Sequence, residues 1–255
     1  MEVSIIDTND DNIQNFGMCG YKNIKHEGYK NKIQWCKNLY SKGLKYKILQ
    51  SDEDGSIGGI EYIPGKYTWR AINAEGYYVI HCLYIMLKKY KGKGYGELLL
   101  NECIKDAKDN NKDGIAVVTR KGSWMVSKDL FVKKGFTIVD KTEPDFELLV
   151  IKLNEDSPTP HFKKDFETKL QSYDEGLYII VSKQCPYAYK SSKEIIKCAK
   201  NDYNLNINVI ELEDSTQSME IPCAFGCFCI IYNNKVVADH PISKTRFKNI
   251  LSKVI

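Results

Sequence analysis

Ile85-Met86-Leu87-Lys88-Lys89-Tyr90-Lys91-Gly92-Lys93-Gly94-Tyr95-Gly96 is the stretch from which the rest of the chain can be read. The run leading into it, Tyr77 to Leu87, is apolar and rich in aromatics, the pattern of a buried strand. The run leaving it, Glu97 to Lys108, sets Leu98, Leu99, Cys103, Ile104 and Ala107 at helical spacing. Three glycines at alternate positions, flanked by lysines, join the two. Glycine accepts φ > 0 and lets the backbone come close to a ligand. The first turn of a helix adds unpaired N–H groups and the positive end of the macrodipole. Strand, glycine-rich turn and helix N-terminus together form a cradle for a diphosphate.

Two familiar cradles are excluded by spacing. A P-loop needs Gly-x-x-x-x-Gly-Lys-[Ser/Thr], which is absent here. The dinucleotide fingerprint needs Gly-x-Gly-x-x-Gly near the start of a βαβ unit, whereas this run is Gly-x-Gly-x-Gly and lies well inside the chain. Alone, the glycines fit an ordinary turn as well as a ligand loop. The run Tyr90 to Gly96 resembles the acyl-CoA pyrophosphate loop of the GNAT N-acetyltransferases, Arg/Gln-x-x-Gly-x-Gly/Ala, with Lys91 where that family usually has Arg or Gln.

Composition bounds the alternatives. The 255 residues are 43% hydrophobic and 27% charged, enough for one large or two modest domains with real cores. Lys and Arg total 37 against 33 Asp and Glu, a net +4 too small and too evenly spread for a nucleic-acid surface. No apolar run approaches the ~20 residues of a membrane span, and the first residues lack a signal-peptide pattern. The nine cysteines are odd in number, and Cys82, Cys227 and Cys229 sit inside apolar strand patterns. No paired Cys-x-x-Cys motifs occur, so no metal is expected, and a reduced, cytoplasmic protein is.

Along the chain, strands are expected at Val3 to Ile6, Leu44 to Leu49 and Gly55 to Gly65, with a helix over Ile24 to Tyr40. Lys66 to Gly76 reads as a loop over a substrate pocket. A strand at Gly114 to Thr119 follows the central helix. Lys128 to Phe136 reads as a short helix closed by Gly135, and Ile138 to Val139 with Glu147 to Leu153 form a strand pair. This short helix resembles the GNAT segment that carries an aromatic residue and ends in Gly-Phe. That family often has a tyrosine there as the acid for the departing CoA thiolate, and Phe131 stands at that position.

Asn154 to Pro160 is polar and proline-bearing and reads as a linker, giving a first domain at 1–153 and a second at 161–255. In the second, Gly176 to Ser182 is a strand and Gln184 to Ala188 a turn opening a helix over Ser191 to Tyr203. A parallel strand, Ile207 to Leu212, follows. Then come Glu220-Ile221-Pro222-Cys223, a hairpin of Phe228 to Tyr232 and Lys235 to Ala238 turned at Asn233-Asn234, and a helix over Ser243 to Ser252. This order resembles a thioredoxin or glutaredoxin fold. Cys185-Pro186-Tyr187-Ala188 matches its Cys-Pro-Tyr-x turn without the second cysteine, and Pro222 stands where that fold has a cis-proline. The pairing is similar to bacterial acetyltransferases with a YoaP-type tail. The expected class is therefore α/β (α+β), a GNAT-like mixed sheet flanked by helices followed by a smaller thioredoxin-like domain.

The resemblance implies an N-acetyltransferase using acetyl-CoA, with direct attack by a primary amine in a ternary complex. It implies that Lys91, Gly92, Lys93, Gly94, Tyr95 and Gly96 hold the pyrophosphate. Pantetheine would run along the strand edge at Tyr84, Ile85 and Met86, with the Ile85 N–H as oxyanion donor. Glu61, Glu75 and His81 are the base candidates by position. Trp69, Tyr77, Trp124 and Phe131 are expected to line an acceptor pocket for a small-molecule or peptide amine. Cys185, before a helix start, is a candidate activated thiol, with Cys223, beside Pro222, as the candidate resolving cysteine. A non-catalytic acyl-CoA sensor with a thiol-, metal- or partner-binding tail is the alternative, and a thiol oxidoreductase a third. Neither nucleic acid nor membrane is expected as partner, and a homodimer is compatible with the chain.

Overall fold

The structure, a computed structural model, describes residues 2–19, 21, 24–122 and 124–254. It divides into two compact units, Met1–Thr68 with Ile72–Phe162, and Trp69–Ala71 with Lys163–Ile255. The division falls after Phe162 rather than at the polar run Asn154 to Pro160. Ser157 of that run is buried and hydrogen-bonded to the Tyr77 hydroxyl at 2.6 Å. Beyond it, β9 (His161–Phe162) pairs antiparallel with β4 (Ile72–Asn73). A stretch with that many fixed partners packs as part of the first unit.

The first unit is built on a seven-stranded mixed sheet. Its strands are β1 (Val3–Asp7), β2 (Lys45–Ser51), β3 (Gly55–Pro64), β5 (Tyr77–Ile85), β6 (Gly114–Arg120), β7 (Thr137–Thr142) and β8 (Phe146–Lys152), in the order β1-β2-β3-β5-β6-β8-β7. Only β5 and β6 run parallel among the pairs of this sheet. The crossover between them is α2 (Tyr95–Asp109), which buries Leu99, Leu100, Cys103 and Ala107 against Tyr62, Tyr78 and Ile80. Consecutive strand residues point to opposite faces, so Glu61 turns away from Tyr62 and meets α1 (Glu27–Tyr40) on the other side. The short α3 (Lys128–Lys133) ends at Gly135 with φ 88°, the expected glycine stop.

The second unit has a four-stranded sheet, β11 (Ile207–Leu212), β10 (Leu177–Ser182), β12 (Phe228–Tyr232) and β13 (Lys235–Ala238), in that order. β10 and β11 are parallel, and the remaining pairs antiparallel. The helix α5 (Pro186–Tyr203) starts five residues before the stretch expected from periodicity, because Pro186 fits the first helical turn. It buries Ala188, Ser192, Ile195 and Ala199, and α7 (Lys244–Leu251) buries Phe247 and Leu251. Asn233 and Asn234 take φ of 44° and 58°, the left-handed pair of a tight hairpin turn. Two short helices, α4 (Phe166–Leu170) and α6 (Ser215–Glu220), carry too few apolar residues to be read from sequence.

Two expectations are corrected here. The Ile221–Pro222 bond is trans, the cis X–Pro bond among the described residues being Glu143–Pro144. Pro222 follows the C-cap Ile221 of α6, and a turn from Cys223 to Cys227 separates it from β12. The stretch Lys66 to Gly76 is not an open loop over a pocket. Its residues Trp69–Ala71 group with the second unit, where Arg70, 4% exposed, donates to the Phe225 carbonyl at 3.1 Å.

Candidate active site

The first unit contains a cleft where two parallel strands part. β5 and β6 pair from Tyr77 opposite Gly114 to Ile80 opposite Val117, and no further. Both strands go on, β5 to Ile85 held by β3 and β6 to Arg120 held by β8. The separation starts at an irregularity. Glu61 lies opposite Cys82 and Tyr62 opposite Ile80, so His81 is an extra residue in β5. Such a bulge bends its strand and raises the local twist. The opening is lined by Ile80 to Leu83, Val117, Val118, Trp124 to Val126 and Phe131, and its cavity is small, about 40 Å³.

The bulge also decides which backbone groups face the opening. The Met86 N–H bonds to the Ile57 carbonyl at 2.9 Å on the β3 side. In an antiparallel ladder the hydrogen-bonding direction alternates, so Tyr84 also turns to β3 while Leu83 and Ile85 turn outward. Of the three expected strand positions, Ile85 therefore presents its N–H and C=O to the cleft, and Tyr84 and Met86 do not. Leu83, which sequence reasoning omitted, joins it.

The cradle lies directly beyond this edge. A 3-10 turn at Lys88–Tyr90 is followed by Gly92 at φ 75° and Gly94, the N-cap of α2, at φ 82°. A Cβ built at either glycine meets nothing within 4 Å, so the space beside each is open. Tyr90 anchors the turn, its hydroxyl donating to Asp54 at 2.6 Å, while Lys89 pairs with Asp54 and Glu53. Lys91 and Lys93 are exposed beside the glycines. Gly96 packs toward Leu130, with 3.5 Å to a built Cβ, and Tyr95 stacks obliquely on Tyr90 at 5.9 Å. These two hold the helix start in place.

Behind the bulge sits a buried charge network. Lys32 and Glu61 are each 1% exposed and form an ion pair. The Glu61 Oε1 lies 3.3 Å from His81 Nδ1, and His81 Nε2 lies 3.1 Å from the Thr68 hydroxyl. The Lys32 ammonium stands 4.1 Å over the Trp35 ring. Burial pushes the Glu61 carboxyl up, but Lys32 and His81 outweigh it and hold the pKa at about 2. Burial likewise opposes the Lys32 charge, and Glu61 reverses it, raising the ammonium above its ordinary range. On the same face the Cys82 thiol donates to Cys19, which lowers the Cys19 pKa despite burial. The Tyr46 and Tyr84 hydroxyls meet at 2.8 Å.

These facts reorder the sequence-derived residues. Glu61 is a buried, paired carboxylate with a pKa too low for a base near neutrality. The imidazole of His81 is fully buried, with both nitrogens engaged. Glu75 precedes β5 at the end away from the cradle, about 30 Å along the strand from Ile85 at the usual rise. Tyr77 begins that same far end and is wholly buried against Ser157, and Trp69 is buried within the second unit. Neither lines the cleft. Trp124, 44% exposed at φ 78°, and Phe131 do, although the Phe131 ring is buried against Phe136 at 5.4 Å. Lys32 was missed, yet it carries a legible signal. It occupies the apolar stripe Tyr29, Lys32, Cys36, Leu39 of α1, where a lysine requires a buried partner.

In the second unit Cys185 is the N-cap of α5 and partly exposed. Cys223 is buried, donates to the Phe228 carbonyl at 3.4 Å and neighbours Cys229. No disulfide joins any two of the nine cysteines. Among the described residues there is no group of three or more His, Cys, Asp or Glu that could hold a metal, and no helix long and apolar enough to cross a membrane.

Comparison with known proteins adds three findings. A family model described as YoaP-like matches residues 206–249. The chain is 27% identical over 253 residues to the uncharacterized N-acetyltransferase YoaP of Bacillus subtilis (strain 168), covering 97% of this chain and 98% of that protein. Among solved structures it is similar to the PaiA N-acetyltransferase of Thermoplasma acidophilum in complex with coenzyme A, at 18% identity and TM-score 0.42 over 60% of this chain and 99% of that one. It is also similar to YncA of Salmonella typhimurium with acetyl-CoA, at 16% identity and TM-score 0.44 over 61% and 96%.

Proposed function

We propose that the first unit is a GNAT-type N-acetyltransferase, moving an acetyl group from acetyl-CoA to a primary amine by direct attack in a ternary complex. The observation that carries this is continuity. An open glycine cradle at the N-terminus of α2 leads straight onto the outward-facing edge of β5, at the point where β5 leaves β6. A diphosphate on one side and a pantetheine amide chain on the other match that sequence of groups. Similarity to an N-acetyltransferase along nearly the whole chain supports the same reading.

In this reading the N–H groups of Gly92 to Gly96 and the charges of Lys91 and Lys93 hold the pyrophosphate. The N–H groups of Leu83 and Ile85 pair with the pantetheine arm and with the thioester oxygen as negative charge builds on it. The amine nitrogen bonds to the thioester carbon, the C–S bond breaks, and CoA leaves as thiolate. Glu61 and His81 are committed to one another, so the amine proton passes to cleft water. The rate then follows the pKa of the amine rather than that of a side chain. The acceptor is a small-molecule or peptide amine held near Trp124. Nine cysteines joined by no disulfide favour a reducing, cytoplasmic setting.

For the second unit we propose a thioredoxin-like domain, on the strength of its β10-α5-β11 crossover, β12-β13 hairpin and closing α7. The burial of Phe131 without a proton to give favours one rival reading of the first unit, a sensor that binds acyl-CoA without turning it over. Titration of acetyl-CoA into the full chain by calorimetry, followed by thiol release across an amine panel, separates these. Binding with release supports the enzyme and binding without release the sensor. Absence of binding overturns both.

A further inference from the structure

The charge network behind β5 does not belong to the cleft surface, yet it converges on the residue at which the cleft begins. His81 is the extra residue of the bulge. Its ring is held from two directions, by Glu61 on β3 through Nδ1 and by Thr68 beyond β3 through Nε2. Glu61 is in turn neutralised by Lys32 from α1, whose ammonium is fixed by the Trp35 and Tyr46 rings at 4.1 and 5.5 Å. A buried ion pair of this kind is a weak source of stability compared with apolar packing. It is a strong source of register, because any other seating of β5 leaves a charge unpaired in the interior.

A one-residue slip in β5 reverses the direction of every N–H beyond it. Without the bulge at His81, the groups of Cys82 and Tyr84 would face the opening in place of Leu83 and Ile85. We infer that Lys32, Glu61, His81 and Thr68 form a positioning clamp that locks the β5 bulge and thereby selects which backbone donors line the cleft. None of the four touches substrate. Their role is exerted through the strand edge, and its catalytic meaning rests on the acetyl-CoA reading given above.

The test uses the full chain and two variants of unequal severity. Thr68→Val removes only the neutral partner of His81, and Glu61→Gln removes the charge. Amide hydrogen exchange at Tyr84 and Met86, whose N–H groups face β3, is measured first and needs no ligand. The clamp predicts exchange about tenfold faster or more in both variants, the factor that loss of one strand hydrogen bond represents. Thr68→Ser, which keeps the hydroxyl, restores the wild-type rate. Unchanged exchange in a folded Thr68→Val protein overturns the clamp.

A second arm compares acetyl-CoA with adenosine 3′-phosphate 5′-diphosphate, which reaches the cradle but not β5. Thr68→Val should weaken acetyl-CoA by about tenfold and leave the fragment unaffected. General destabilisation would weaken both alike, and that result counts against the clamp. If wild-type protein binds neither, the acetyl-CoA reading fails, while the exchange measurement still decides the clamp on its own.

Discussion

Two helices, α2 and α5, each cross between a pair of parallel strands, and of these two α2 begins at an open turn. α2 leaves β5 through Gly92 and Gly94, both at positive φ, with nothing within 4 Å of a Cβ at either. α5 leaves β10 through Gln184 and Cys185, and its turn is filled. Gln184 is 5% exposed and donates its N–H to Ser182, Pro186 has no N–H to offer, and Ala188 is buried. Both helices carry the same dipole. What separates them is room and donor count, and the proposed pyrophosphate site is placed at the turn where glycine clears space and frees the amides.

Two ion pairs, one from each unit, differ similarly in burial. The first unit buries Lys32 with Glu61, whereas the second leaves Asp202 at the surface between Lys244 at 3.2 Å and Lys248 at 2.7 Å. The largest effect is therefore expected from Lys32→Met, which leaves Glu61 buried without its cation. Urea unfolding should show a loss of about 3–5 kcal/mol, and a loss below about 1 kcal/mol would mean that Glu61 is hydrated.

Gly94→Glu comes next. It sets a side chain and a like charge in the cradle and should weaken acetyl-CoA by more than about 100-fold, near 2.7 kcal/mol. Cys185→Glu, at the corresponding position of α5, should leave that affinity as it is. Equal losses in calorimetry would erase the distinction between the two turns.

Acid titration sharpens the contrast in charge. Glu61 has its pKa lowered from 4.5 to about 2, so its contribution is complete above about 4.5 and is lost as pH falls toward 2. Asp202 is lowered to about 2 by Lys248 and Lys244 and follows the same sign. The buried pair should keep its pH dependence in high salt, and the surface group should lose its own. The smallest effect belongs to Asp202→Asn, which should leave the thermal midpoint of the second unit nearly unchanged, as exposed ion pairs do.

Much of this was legible because it is local. The run from Tyr77 into Glu97 announced strand, turn and helix through periodicity and glycine chemistry, which depend on neighbours in the chain. The order of elements around Cys185 was equally clear, apart from a helix start hidden by Pro186. A lysine on the apolar stripe of α1 was visible in sequence and overlooked. Trp69 and Tyr77 looked like pocket residues because they are aromatic and close in sequence to β5, and sequence distance says nothing of which end or which unit holds them.

The amino-acid order alone thus established the glycine cradle, the strand before it, the helix after it and the two-part organisation. Steric preference and amphipathic spacing act within a few residues. The site itself was settled by partners far apart in the chain. Pairing between β5 and β6 stops at Ile80, the extra residue at His81 turns Leu83 and Ile85 outward, and Lys32 reaches Glu61 from another element. Register and burial arise only when the sheet closes and every interior charge must find a counterpart.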